Sequence, residues 1–201
     1  KDFMKKRKPH RFSDSKIITE GKLNRTILEQ HLLSITSRKQ EFDFEEFARK
    51  LCEYEICPNL RPQTGPVGGG DGKVDTETSP VASQIESAYY YGEEKPSGER
   101  WALAFSAAKQ WQRKVKSDVK KIAETGRGYK RIIFVTNQYA KASTRAEIED
   151  ELTKENQIQV TIHDKTWILD RVFANKRQKL AIEELKMGEG LEEKKEIGPL
   201  D

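Results

Sequence analysis

Apolar residues recur at helical spacing between Leu23 and Arg38. Leu23, Ile27, Leu28, His31, Leu32 and Ile35 form one stripe and predict a helix. Phe44, Phe47, Ala48, Leu51 and Cys52 mark the buried face of a second predicted helix, residues 43–55, which Pro58 ends. The period then shortens. Residues 60–63 read as a strand and residues 65–72 as a glycine-rich turn. Residues 73–77 alternate, with Lys73, Asp75 and Glu77 on one face and Val74 and Thr76 on the other. Ser79-Pro80 opens a predicted helix that runs to Tyr91.

Residues 101–108 form the predicted central strand. Trp101, Leu103, Phe105 and Ala107 make a bulky face that packs on helices. Ala102, Ala104, Ser106 and Ala108 make a small face that leaves room, as the wall of an active site would. A basic amphipathic helix follows over 110–124, anchored by Trp111 and stopped by Gly126 and Gly128. Strands over 131–136 and 158–163 alternate with helices over 144–155, 167–174 and 176–187, and Asp164 or Thr166 caps the second of these helices. The expectation is an α/β fold: a mixed central β-sheet, partly parallel, with helices on both faces.

Length and charge refine this picture. A chain of 201 residues holds one domain with a substantial core, here expected over 21–187. With 35% charged residues, part of the chain is expected to be polar tail. Residues 1–20 read as a flexible basic segment and residues 188–201 as a linker toward a further C-terminal region. The net charge of +4 is unevenly spread, with basic runs at 1–11 and 109–121 that suit a phosphate backbone. Cys52 and Cys57 have no His or Cys neighbours to complete a zinc site and read as reduced packing residues of a cytoplasmic protein. His31, on an apolar stripe, reads as a packed histidine. No apolar run approaches the ~18 residues of a membrane span.

The candidate chemistry gathers at Gly68-Gly69-Gly70-Asp71-Gly72-Lys73-Val74-Asp75. Glycines permit a tight turn, and the turn delivers the Asp75 carboxylate onto a strand, where it can hold a metal ion. Val74 follows Gly72-Lys73 where a nucleotide P-loop needs Ser or Thr, and a calcium loop needs more carboxylates at regular spacing. Glu45 and Glu46 are expected in the first turn of their helix, complementing its dipole, with one of them able to look inward at the site.

Phe44-Glu45 with Phe47-Ala48 and Leu51, the turn Gly70-Asp71-Gly72-Lys73-Val74-Asp75, and Ser106-Ala107-Ala108 at the end of the central strand are together similar to the PD-(D/E)XK nuclease superfamily, in its Mrr-like restriction endonuclease branch. The likeness covers about residues 43–175 and implies a restriction-endonuclease-like fold. It also implies a magnesium-dependent endodeoxyribonuclease, with manganese as a substitute, of the kind that serves as an antiviral defence effector fused to an NTPase or sensor region. In that family the strand ends in Gln-x-Lys or Glu-x-Lys. Strand parity sets the lysine at 108, where this chain has alanine. The expectation is that Ala108 is an engineered inactivating substitution. A natural loss, or Lys109 standing in for the lysine, are the alternatives.

The resemblance implies that Asp75, Glu45 and the backbone carbonyl of Ala107 hold the metal, and that Ser106 ligates weakly or orients a water. Residue 108, as lysine, would orient the attacking water and offset developing charge. Double-stranded DNA would be held through its phosphates by Lys73, Lys109, Arg113, Lys114, Lys116 and Lys120, largely without regard to sequence. A homo-oligomer is compatible with this scheme. Two other functions stay open: a non-catalytic DNA-binding or oligomerisation module, and an RNase on the same fold.

Overall fold

The computed structural model describes residues 23–58, 60–62, 76–78 and 99–187. The first helix, α1 (Arg25–Ser34), begins where the Asn24 side chain accepts the Ile27 N–H at 2.9 Å. It buries Leu28 and Leu32 but ends earlier than the stripe predicts. After Ile35 the chain tightens into a 3₁₀ turn, Thr36–Arg38, and Lys39 takes a left-handed φ of 56°. Ile27, expected in the stripe, is 52% exposed. His31 is half-buried with Nε2 3.0 Å from the Leu185 carbonyl oxygen, a packed histidine whose pKa burial lowers.

Helix α2 (Glu41–Glu55) buries Phe44, Phe47, Ala48, Leu51 and Cys52 as expected. It begins two residues before the predicted start. Glu41 and Asp43 therefore occupy its first turn, and Glu45 and Glu46 lie on the second. Cys52 and Cys57 are buried and form no disulfide.

Strands β1 (Leu60–Pro62), β2 (Thr76–Thr78), β3 (Trp101–Ser106), β4 (Arg131–Thr136) and β5 (Gln159–His163) stand side by side in that order. The first two pairings are antiparallel, and β3, β4 and β5 run parallel. The parallel strands are joined through α3 (Trp111–Ala123) and α4 (Ala142–Asn156), and α5 (Lys165–Ala174) and α6 (Gln178–Glu184) follow β5. The expected mixed sheet with helices on both faces is present.

Strand alternation divides the interior in two. Trp101, Leu103, Phe105, Ile133 and Val135 pack under α1, α2, α5 and α6. Ala102, Ala104, Ile132, Phe134, Val160 and Ile162 pack against α3 through Trp111, Val115, Val119 and Ile122, and against α4 through Ile148 and Leu152. The small face of β3 is therefore not an open wall at these positions, since Ala102 is 0% and Ala104 4% exposed. The missing side-chain volume lets α3 come close. Trp111 is the packing anchor expected of it.

Asp164, not Thr166, caps α5, its carboxylate accepting the Trp167 N–H at 3.1 Å. A left-handed Lys176, φ 58°, separates α5 from α6, so the last helix starts later than expected. At the β5 edge, Val160 N–H donates to Thr153 Oγ1 at 3.0 Å and Ile162 N–H to Glu149 Oε1 at 2.6 Å. Helix α4 thus satisfies two edge donors that would otherwise invite another strand. Residues 1–20, the glycine turn, Lys73, Asp75, the helix expected over 79–91 and the tail 188–201 lie outside the described residues. Among the described residues no helix is long and apolar enough to cross a membrane.

Candidate functional site

Parallel strands end together, and the crevice outside their carboxyl ends is where α/β sheets collect polar side chains. Ser106 of β3 pairs in register with Thr136 of β4, and Val135 with His163 of β5. Ser106, Thr136, Asn137, His163, Asp164 and Lys165 are all buried polar residues at or just past these ends.

The β3 corner is held by bonds from distant parts of the chain. Ser106 Oγ accepts the Ala108 N–H at 3.2 Å, which turns the chain out of the strand. The Ala107 carbonyl accepts the Thr36 hydroxyl at 2.8 Å, with Gln138 Nε2 a longer 3.5 Å away. Asn137, fully buried, donates to the Leu32 carbonyl at 2.7 Å and accepts from Gln138 Nε2 at 2.8 Å. These bonds satisfy buried groups that would otherwise each cost about 1–3 kcal/mol.

The β4 corner is fixed from β5. Lys165 N–H donates to the Gln138 carbonyl at 3.0 Å, and Ala140 N–H to Asp164 Oδ2 at 3.1 Å. Asp164 thereby holds a helix start and a loop at once, with Arg145 3.9 Å from its other oxygen. Lys165 Nζ meets Glu29 of α1 at 2.6 Å, and its hydrogen bond pulls the Glu29 carboxyl below the usual carboxylate value. The His163 ring stacks on Trp167 at 4.1 Å.

The fold brings Ser106, Ala107 and Ala108 to this corner. Ala107 is buried, Ala108 half-buried and Lys109 exposed. Glu45 is half-buried on α2, the helix that packs over the bulky face of β3. Asp75 and Lys73 lie outside the described residues. Thr76, the next residue after Asp75 in the chain, pairs with Leu103 on β3.

A hard divalent cation takes oxygen ligands, carboxylates above all. The Ala107 carbonyl oxygen and Ser106 Oγ each already accept a hydrogen bond. Among the described residues no group of three or more His, Cys, Asp or Glu side chains is placed to hold a metal. A magnesium or manganese ion would need the carboxylates of Asp75, outside the described residues, and Glu45.

The basic residues named for DNA contact on α3 and just before it divide into two kinds. Lys114 is paired with Asp118 at 2.9 Å and Lys116 with Glu151 at 2.6 Å. Lys109, Arg113 and Lys120 are exposed and make no ion pair among the described residues. The starts of α3 and α4 carry no side-chain cap, unlike α5, and both lie at the carboxyl edge of the sheet.

Sequence reasoning missed Thr36, Asn137 and Gln138. The one local sign was the polar run Thr136-Asn137-Gln138 straight after an apolar strand. No family model matches the chain, and no curated protein matches it.

Proposed function

We propose that this chain is a nuclease domain of the PD-(D/E)XK type that acts on DNA. The observation that carries the reading is the order of strands around β3. Antiparallel β1 and β2 lead into β3, and β4 follows parallel to it through α3. The expected catalytic segment, Ser106 to Ala108, lies at the carboxyl end of that central strand. Asp75 directly precedes the first described residue of β2, the neighbouring strand. A restriction-endonuclease-like fold is the finer reading of the same arrangement.

Residues of this chain would act at the corner as follows. A lysine at 108 would sit half-buried beside the Ala107 turn, where it could orient a water and offset charge developing on a phosphate. Exposed Lys109, Arg113 and Lys120 would attract the backbone. A magnesium ion would stabilise the same charge, and its place rests on Asp75 and Glu45. With alanine at 108 the chain as it stands is predicted to be nearly inactive.

The test is plasmid cleavage with Mg²⁺ by this chain and by Ala108→Lys. Cleavage only with lysine supports the reading, and cleavage by both moves the chemistry to Lys109. Silence in both, with the folded state checked, favours a non-catalytic DNA-binding or oligomerisation module, a reading that the internally hydrogen-bonded corner would suit. A labelled RNA in the same assay separates an RNase from a DNase.

A further inference from the structure

Among the large apolar side chains left exposed in the described residues, Tyr139 is set apart by its place. It is 63% exposed and lies between β4 and α4, at the carboxyl edge of the sheet, whereas Ile27, Leu33, Phe42, Tyr54 and Ile182 are all on helices. The loop that carries it is pinned on both sides. Before it, Gln138 N–H donates to Thr136 Oγ1 at 3.2 Å, the Gln138 side chain donates to Asn137, and the Gln138 carbonyl accepts from Lys165. After it, Ala140 is buried in the second core and its N–H is held by Asp164 at 3.1 Å. Both neighbours are fixed while the ring between them stands in water. Exposing so large a ring forgoes its burial, and fixing its backbone removes the entropy cost a partner would otherwise bear.

The same edge carries the exposed cations Lys109, between β3 and α3, Arg113, in the first turn of α3, and Lys141, just past Tyr139. Gln138, next to Tyr139, reaches within 3.5 Å of the Ala107 carbonyl, which puts this loop beside the candidate corner. A flat ring and cations on one sheet edge are the combination that binds single strands: cations follow the phosphates and the ring takes a base face. Base faces inside an intact duplex are covered by their neighbours, and only edges show in the grooves.

We propose that Tyr139 is a stacking platform for an unpaired base, on a strand whose phosphates lie along Lys109, Arg113 and Lys141. This rests on the nucleic-acid part of the function proposed above, not on cleavage. It makes the ligand a single-stranded or locally opened segment rather than an undisturbed duplex.

The experiment is fluorescence anisotropy at fixed salt with two labelled deoxyribonucleotide strands of about 12 residues, a length in the range of single-strand sites. One strand carries bases and the other is abasic throughout. Tyr139→Ala is expected to weaken binding of the base-bearing strand about fivefold to a hundredfold and to leave the abasic strand unchanged. Tyr139→Trp should restore the difference, because it returns a ring without the hydroxyl. Arg113→Ala should weaken both strands alike. Equal binding by Tyr139→Ala and the parent, or an equal loss on both strands, overturns the stacking role alone. Failure of the parent to bind either strand overturns it together with the nucleic-acid reading.

Discussion

The Thr36 hydroxyl donates to the Ala107 carbonyl across 2.8 Å, joining residues 71 positions apart. It ties the 3₁₀ turn after α1 to the chain leaving the central strand. Segment 106–108 is therefore shaped from outside the strand that carries it. The Gln138 amide at 3.5 Å is too long to replace this bond.

Thr36→Val keeps the shape and removes the donor. It is expected to cost about 1 kcal/mol, the usual worth of such a bond, with Thr36→Ser recovering most of it. Urea unfolding followed by circular dichroism measures this. In the Ala108→Lys background the same change should lower turnover by more than the stability loss explains, because the 106–108 turn is displaced. An unchanged unfolding midpoint for Thr36→Val would mean that the hydroxyl contributes nothing to the corner.

Ala104→Leu tests how the small face of β3 is used. Ala104 is 4% exposed and packs in the core that holds Trp111, Val115 and Phe134. Extra volume there must push α3 outward, at a cost of about 1–3 kcal/mol. An open wall would accept leucine without loss. Thermal unfolding of the two proteins side by side decides between them.

Much of this fold could be read from periodicity because its signals are local. Ile132, Ile133, Phe134 and Val135 form an uninterrupted apolar run between Arg131 and Thr136, and β4 spans the predicted 131–136. Alternation along 101–107 assigned the right residues to the two faces. What covers the small face could not be read, because alanines look alike beside a ligand and beneath a helix. The α3 stripe of Trp111, Val115, Val119 and Ile122 needed that space. The start of α6 was missed because left-handed Lys176 is not a residue that advertises that conformation, and the end of α1 because the 3₁₀ turn Thr36–Arg38 continues its polar and apolar pattern. At the candidate site, Ser106 to Ala108 were legible through strand parity. Thr36 and Gln138 were not, since their partners lie far off in sequence.

The basic helix gives a graded prediction for DNA binding. Arg113 is exposed and has no ion-pair partner among the described residues, while Lys116 is held by both oxygens of Glu151. A phosphate that recruits Lys116 must first displace a carboxylate. Arg113→Ala should weaken DNA binding and reduce the slope of log affinity against log salt by about one. Lys116→Ala should change both less. Equal effects would show that the Glu151 pair does not restrain Lys116 in solution, where exposed pairs are weak. Salt titration of anisotropy provides the readout.

Glu149 supplies the pH-dependent prediction. Burial raises its carboxyl above the ordinary value of 4.5, and the bond from Ile162 N–H pulls it part of the way back. A raised value means that the folded chain keeps a proton that the unfolded chain has already lost. The stabilising contribution is fully present below the unfolded value and is lost as pH rises through the folded one. At neutral pH the ionised side chain therefore burdens the fold. Glu149→Gln is neutral at every pH, and its amide oxygen can still accept from Ile162. It should unfold at a higher temperature than the parent at pH 7, with the difference closing as pH falls below 4.5. Thermal melts across that range provide the check. A variant less stable than the parent at pH 7, by a margin that shrinks in acid, would show instead that the charged bond to the β5 edge outweighs the penalty of burying it.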